Sequence, residues 1–220
     1  AISLIENQEE SGSKLLSNLF KYTGHAYRIG ITGPPGAGKS SITDNLISAF
    51  RNENKTVAVI AVDPTSLFSG GALLGDRIRM TEHHSDPHVY VRSMATRGGQ
   101  GGLAIRTEEV GEIFDAAKFD IIIYETVGVG QIELDIIQAA DSVMVVLVPE
   151  SGDEVQMLKA GLMEIGNVFS INKADRPGSN KLMITLKNLL STLMYDDNTW
   201  KPEVISTIAT EGKGINELLK

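Results

Sequence analysis

The sequence predicts an α/β fold in which helices cover both faces of a doubly wound, mostly parallel sheet of about seven strands. Short apolar runs alternate with helical patterns along the chain, which is typical of parallel strands joined by crossover helices. Residues 121–123 and 143–148 are continuously apolar, as expected of strands that are buried on both faces. In such sheets ligands bind beyond the carboxyl ends of the strands, where the motifs described below fall.

Seven apolar runs are predicted to be strands, at residues 27–32, 56–62, 88–92, 119–124, 142–148, 168–171 and 203–206. The helical spacing of apolar residues predicts helices over residues 39–52, 102–118, 153–165, 179–194 and 215–219. Residues 1–25 are expected to form a helical segment, broken at Ser11-Gly12-Ser13, that packs on one domain of residues 26–220. No linker or repeat divides that domain in the sequence.

Composition narrows the classes of partner. The 220 residues include 20 Lys and Arg against 28 Asp and Glu, so the net charge is −8. An acidic molecule is a poor partner for nucleic acid or for an anionic membrane surface. The absence of cysteine excludes disulfides and thiolate metal sites. No apolar run approaches the roughly 20 residues of a spanning helix, and we expect a cytoplasmic location.

A phosphate-binding loop is the first functional motif. Residues 33–40 read GPPGAGKS, which fits G-x-x-x-x-G-K-[ST] between a predicted strand and a predicted helix. Lys39 is expected to reach the β- and γ-phosphates, and the hydroxyl of Ser40 to bind Mg²⁺. The alternative is a glycine-rich turn that binds nothing. The residues expected to bind phosphate are Gly33, Gly36, Ala37, Gly38, Lys39, Ser40 and Ser41.

A second motif points to guanine as the base. Asn172, Lys173 and Asp175 form N-K-x-D after a predicted strand, and this pattern resembles the guanine-reading motif of GTPases. The carboxylate of Asp175 can accept hydrogen bonds from N1–H and the exocyclic amine of guanine, a pair that adenine lacks. Ala209 stands where a backbone N–H is expected to contact the base. The alternative is a loop that caps a helix.

Carboxylates end two of the predicted strands. Asp63 and Glu125 lie at strand tips, where Mg²⁺ and its waters need hard oxygen ligands. Gly128 is expected to let the backbone approach the γ-phosphate. The alternatives are a helix cap for Asp63 and a solvated strand end for Glu125. Glu-x-x-Gly in place of Asp-x-x-Gly suggests slow intrinsic hydrolysis, with Lys39, Glu125 and Asp63 as the expected catalytic residues.

Long motifs resemble one family, the MeaB/ArgK-type GTPases, which are the G-protein chaperones of adenosylcobalamin-dependent acyl-CoA mutases. The match runs from about residue 26 to the end of the sequence. Its motifs are DPTS at residues 63–66, GGALLGDRIRM at 70–80, RSMATRG at 92–98, ETVGVGQ at 125–131 and KAGLMEI at 159–165.

The resemblance implies a GTPase of the SIMIBI class that gates cofactor loading of a mutase, or protects it. It implies that Asp63 and Asp76 bear on Mg²⁺, together with Ser40 and Glu125, and that residues 152–159 match the switch facing the mutase. The implied cofactors are Mg²⁺ with GTP or GDP, with no cobalamin bound by this chain alone. Standalone members of the family dimerise through a helical C-terminal arm. We expect this chain to have no such arm, and a homodimer is left as an open alternative.

The resemblance is not perfect, and other functions stay open. Pro149-Glu150-Ser151-Gly152 replaces a more common Pro-Gly-Ala-Gly, which adds a negative charge and bears on the partner more than on GTP. The alternatives are a metal-insertion GTPase of the same class, a P-loop kinase, and a nucleotide-loaded interaction module that barely hydrolyses GTP.

Overall fold

The structure, a computed structural model, describes residues 1–6, 10–63, 83, 85–95, 102–126, 139–150, 161–193 and 199–220. In this part of the chain seven strands form one sheet in which every pair is parallel, in the order β3-β2-β4-β1-β5-β6-β7. The strands are β1 Tyr27–Thr32, β2 Val57–Asp63, β3 Val89–Ala95, β4 Ile121–Thr126, β5 Ser142–Leu147, β6 Val168–Ile171 and β7 Glu203–Ser206. The predicted fold class is confirmed.

The helices are α1 Ile2–Glu6, α2 Glu10–Leu19, α3 Lys39–Asn52, α4 Gly102–Ala116, α5 Leu162–Ile165, α6 Ser179–Thr192 and α7 Ile215–Leu218. Short 3₁₀ turns occupy Phe20–Tyr22 and Ala209–Glu211. Most of the helix predicted over 153–165 lies outside the described residues. Among those that are described, no helix combines the length and the apolarity that crossing a membrane requires.

The predicted break at Ser11-Gly12-Ser13 is wrong, because all three residues lie inside α2. Gly12 is buried, and a Cβ atom there would lie 3.3 Å from the carbonyl oxygen of Leu4 in α1. The glycine therefore marks a close contact between α1 and α2 rather than the end of a helix. Its cost in helix propensity, about 1 kcal/mol relative to alanine, is offset by that packing.

Alternate side chains of each strand supply the two faces of the sheet. In β2, Val57 and Val59 pack in a cluster with residues of α3 and α7, whereas Ala58 and Ile60 pack in a second cluster with residues of α4 and with Ile5 of α1. A third cluster joins β5 and β6 to α5 and α6. Both faces are therefore covered, and the polar loops are confined to the strand ends.

The segment before β1 is tied to α4 by a buried carboxylate. Asp115 accepts hydrogen bonds from the backbone N–H groups of Gly24 at 2.8 Å, His25 at 3.0 Å and Ala26 at 3.1 Å. The guanidinium of Arg28 lies 3.2 Å from the same carboxylate. This arrangement connects the N-terminal helices to the start of the central strand.

Candidate nucleotide-binding site

The loop between β1 and α3 is shaped by three glycines. Gly33, Gly36 and Gly38 have φ values of 146°, 76° and 89°, which L side chains rarely adopt. A Cβ atom on Gly33 would lie 2.1 Å from the carbonyl oxygen of Val146, and one on Gly38 would lie 2.3 Å from Nδ2 of Asn172. The loop therefore passes so close to β5 and to the loop after β6 that only glycine fits.

Lys39 is held inside this loop. Its side chain is buried, and Nζ donates to the carbonyl oxygens of Gly33 at 2.8 Å and Pro34 at 3.1 Å. The ammonium thus lies where the loop encloses the N-terminus of α3, a helix of 14 residues. The first N–H groups of a helix lack intrahelical partners and, with the helix dipole, favour an anion. Loop, ammonium and helix end are therefore placed as an anion-binding site requires.

Two side-chain oxygen groups that could bind a metal ion lie next to each other at the N-terminal end of α3. The hydroxyl of Ser40 donates to Oε1 of Glu125 at 2.5 Å, and Glu125 is 5% exposed. Glu125 is the fifth residue of β4, beside β1 in the sheet. A hydroxyl and a carboxylate are hard oxygen ligands, so the chemistry of this pair fits Mg²⁺.

Asp63 ends β2 at the same edge of the sheet. The parallel register of β2 and β4 places Ala61 beside Glu125, two residues before Asp63. The side chain of Asp63 lies outside the described part of the structure. Asp76 and Gly128 also lie outside the described residues, as does the segment 152–159.

Asn172 joins three loops at the carboxyl edge. It is 3% exposed, and Nδ2 donates to the carbonyl oxygen of Ala37 at 2.9 Å. Its Oδ1 accepts from the backbone N–H of Ala209 at 3.1 Å and from the hydroxyl of Thr207 at 3.2 Å. One side chain therefore fixes the phosphate loop, the loop after β6 and the loop after β7 relative to one another.

Lys173 completes the link to the phosphate loop. Its φ of 56° lies in the left-handed region, which is uncommon for a residue other than glycine, and Nζ donates to the carbonyl oxygen of Gly36 at 2.9 Å. This backbone conformation accompanies a side chain that turns back across the phosphate loop, and the role of Lys173 in covering the base stays a prediction. Such a backbone conformation persists where the surroundings hold it in place.

These loops enclose a pocket of about 140 Å³, lined by Gly38, Ser41, Asn172, Lys173, Asp175, Arg176, Ile208, Ala209 and Thr210. The structure therefore brings together residues of the phosphate loop, the N-K-x-D motif and the loop after β7. The backbone N–H of Ala209, which was expected to contact the base, donates to Asn172. Sequence reasoning missed Arg176, although it directly follows the motif.

The sequence of this chain is similar to one described protein family and to several known proteins. A family described as Methylmalonyl Co-A mutase-associated GTPase MeaB matches residues 1–220. A protein of Pyrococcus abyssi that is named as a putative GTPase is 53% identical over an alignment of 220 positions, which covers 99% of this chain and 68% of the relative. The GTPase ArgK of Escherichia coli is 34% identical over an alignment of 225 positions, which covers 99% of this chain and 68% of that protein. A mouse protein, Methylmalonic aciduria type A homolog, mitochondrial, is 36% identical over 87% of this chain and 47% of its own length.

Solved structures of other proteins are also similar to the structure of this chain. The crystal structure of an LAO/AO transport system kinase has a TM-score of 0.79 and 28% identity, over 99% of this chain and 66% of that one. The hydrogenase maturation factor HypB of Archaeoglobus fulgidus has a TM-score of 0.63 at 14% identity, over 94% of this chain and 93% of that one. At this identity the similarity shows only that the two proteins share a fold. The chain spans about two thirds of the length of the P. abyssi and E. coli relatives and of the first of these structures.

Proposed function

The chain belongs to the MeaB family of methylmalonyl-CoA mutase-associated GTPases, and from that premise we propose that it is a GTP-dependent chaperone of an adenosylcobalamin-dependent acyl-CoA mutase. Nucleotide binding is supported above all by the hydrogen bonds of the Asn172 side chain. They link it to Ala37 in the phosphate loop and to Ala209 at the base pocket. A nucleotide seated there would contact both regions at once.

The proposed mechanism uses the anion-binding arrangement at α3. Lys39 and the backbone N–H groups of residues 36–41 bind phosphate oxygens and stabilise the negative charge that develops on the transferring phosphoryl group. Their placement before binding means that little reorganisation is needed during the reaction. The carboxylate of Asp175 accepts hydrogen bonds from N1–H and the exocyclic amine of guanine, which selects GTP over ATP.

Mg²⁺ accompanies the nucleotide in this proposal. The hydroxyl of Ser40 and the carboxylate of Glu125 would hold it, and Asp63 and Asp76 are proposed as further ligands. When bound there, Mg²⁺ would supply positive charge that offsets the negative charge of the phosphate oxygens. Glu125 also contributes by keeping the Ser40 hydroxyl oriented, since the two are hydrogen-bonded at 2.5 Å.

The mutase is proposed as the partner because of the description of the family and the name of the mouse relative. In this role the chain binds no cobalamin itself. GTP hydrolysis is slow without the mutase, and it times cofactor loading or protection of the loaded enzyme. In GTPase switches, contacts with the γ-phosphate order a segment, and hydrolysis releases that segment.

A phosphotransferase is the second candidate. It is favoured by the similarity to the LAO/AO transport system kinase, since that protein is named as a kinase. Both reactions use the same phosphate loop, so the fate of the γ-phosphate separates them. A GTPase passes it to water, whereas a kinase passes it to an acceptor molecule.

Steady-state hydrolysis tests the proposal. The rate of phosphate release from GTP is measured with and without methylmalonyl-CoA mutase, with ATP as the alternative nucleotide and Lys39→Ala as the inactive control. We expect slow, GTP-selective turnover that rises at least about tenfold with mutase, which corresponds to roughly 1.4 kcal/mol off the barrier. Turnover that no mutase changes would overturn the chaperone role, and equal rates with ATP would overturn the guanine assignment.

A further inference from the structure

One side chain of α3 holds the loop after β7. Nδ2 of Asn45 donates to the carbonyl oxygen of Ala209 at 2.9 Å, across a separation of 164 residues in the chain. The same nitrogen donates to the carbonyl oxygen of Ser41 at 2.7 Å, one turn earlier in the helix. An amide nitrogen has two hydrogens, so Asn45 can serve both carbonyls at once. It thereby connects the helix that begins at the phosphate loop to the loop that carries Ala209.

Ala209 is fixed at both of its backbone groups. Its N–H donates to Oδ1 of Asn172 at 3.1 Å, and its carbonyl oxygen accepts from Asn45 at 2.9 Å. The residue is buried and begins the 3₁₀ turn Ala209–Glu211. Ala209 and Asn172 both line the base pocket, so the fixed N–H lies at the wall of that pocket.

Asn45 supports this turn from outside the pocket. The described residues that line the pocket include Ser41 and Ala209, whose carbonyls Asn45 binds, but not Asn45 itself. Its Oδ1 lies near the end of the same turn, since a Cβ atom on Gly212 would be 3.6 Å away from it. A side chain in this place acts on a bound base through the turn that it holds.

A fixed N–H favours a base that presents an acceptor to it. Guanine carries the acceptor O6, whereas adenine carries an amine at the same position. Ala209 is the residue whose N–H is expected to contact the base, and in the proposed complex this N–H is shared between Asn172 and O6, as in the three-centre bonds of helix ends. A donor that is held in place before binding costs less to order when the nucleotide arrives.

We propose that Asn45 is a positioning residue for base recognition, which holds the carbonyl of Ala209 so that the N–H of the same residue is ready for O6 of guanine. This inference rests on the proposed binding of guanine nucleotides and adds to it a residue that does not touch the nucleotide. The helix that begins at the phosphate loop then also supports the loop that contacts the base.

Nucleoside diphosphates that differ at the base test this role without interference from hydrolysis. GDP and IDP both carry O6, whereas 6-thioguanosine diphosphate keeps the N1–H and the amine but has sulfur, a weaker acceptor, in place of O6. Asn45→Ala removes the amide and keeps a residue that favours a helix. We expect this variant to weaken GDP and IDP by a similar factor, about tenfold, and the thio analogue by no more than about twofold. Equal losses for all three nucleotides, or no loss for any, would overturn the positioning role.

Asn45→Asp keeps the shape of the side chain but places a second acceptor next to two carbonyl oxygens. It should weaken GDP at least as much as Asn45→Ala does, and wild-type affinity in this variant would overturn the proposal.

Asn167→Ala is the matched control, because Oδ1 of Asn167 accepts from the backbone N–H of Val143 at 2.7 Å, near the amino ends of β5 and β6. It should lower the urea midpoint of unfolding and leave the ratio of the Kd values for GDP and the thio analogue unchanged. A change in that ratio as large as in Asn45→Ala would overturn the proposal, since any loss of stability would then produce it. The proposed function fails separately: a wild-type protein that binds ADP as well as GDP would show that the pocket does not read guanine at all.

Discussion

The hydroxyl of Ser40 donates to Oε1 of Glu125 over 2.5 Å, across a separation of 85 residues in the chain. The bond joins the first turn of α3 to the end of β4, two elements that each carry one oxygen donor toward the same edge of the sheet. Neither residue has that neighbour by virtue of local sequence. The contact exists because β4 lies beside β1, from which the phosphate loop leads into α3.

Ser40→Ala should reduce the gain in nucleotide affinity that Mg²⁺ provides, because the metal loses one proposed ligand. We expect about a tenfold smaller effect of Mg²⁺ on the Kd of a non-hydrolysable GTP analogue, measured by titration with and without the metal. Ser48→Ala is the control, since its hydroxyl bonds to the carbonyl of Asp44 elsewhere on α3. An unchanged Mg²⁺ dependence in Ser40→Ala would remove this hydroxyl from the proposed metal site.

Asp175→Asn should weaken GTP and shift preference towards xanthosine nucleotides. The amide presents a donor where the carboxylate had an acceptor, and xanthine carries a carbonyl oxygen where guanine has its amine. Competition between GDP and XDP for the variant measures the shift, and we expect a reversal of preference of at least about tenfold, or 1.4 kcal/mol. A variant that binds GDP with wild-type affinity would contradict the guanine assignment.

Gly38→Ala should abolish nucleotide binding, whereas Gly24→Ala should not. The two glycines have almost the same φ, 89° and 90°, so an alanine at either pays a similar backbone cost of about 1–2 kcal/mol. They differ in surroundings: a Cβ on Gly38 would meet Asn172 at 2.3 Å, and one on Gly24 meets no described atom within 4 Å. Denaturant unfolding and the Kd for GDP separate the effects, and equal loss of binding in both variants would show that the close contact is unimportant.

Asp115→Asn should lower the free energy of unfolding at neutral pH and make that free energy depend less on pH in the acidic range. Burial alone would raise the pKa of Asp115, but the backbone N–H groups of Gly24, His25 and Ala26, with Arg28, outweigh it and hold the pKa below its ordinary value of 3.8. The unfolded state therefore binds a proton more readily, so this contribution is present above pH 3.8 and is lost as pH falls towards the lower folded pKa.

The loss at pH 7 should be about 1–3 kcal/mol, the usual cost when buried donors lose an ionised partner. Urea unfolding from pH 7 down to about pH 3 measures it, and the wild type should lose stability over the acidic end of that range more steeply than the variant. Parallel curves for the two proteins would show that the carboxylate is not a source of the acid sensitivity.

Most helices and strands could be predicted from the sequence, because they depend on residues that are close together in the chain. β1, β6, β7 and α3 have the predicted boundaries, because continuous apolar runs and helical periodicity depend only on neighbouring residues. β4 starts at Ile121 rather than at 119, since the N–H of Phe119 bonds back to Phe114 and completes the end of α4. Ser11-Gly12-Ser13 misled because the reason for a glycine there, contact with α1, is not visible in its neighbours.

The site divides in the same way. The phosphate loop and the N-K-x-D loop could both be recognised from the sequence, because each is one short segment with a characteristic spacing of residue types. The hydrogen bonds of Asn172 to Ala37, 135 residues away, and to Ala209, 37 residues away, could not be predicted and are seen in the folded chain. The same is true of the contact between Glu150 and Arg176, 26 residues away. The physical reason is that such partners meet through the order of strands in the sheet, which places the loops after β1, β5, β6 and β7 side by side, and no local pattern of residues encodes that order.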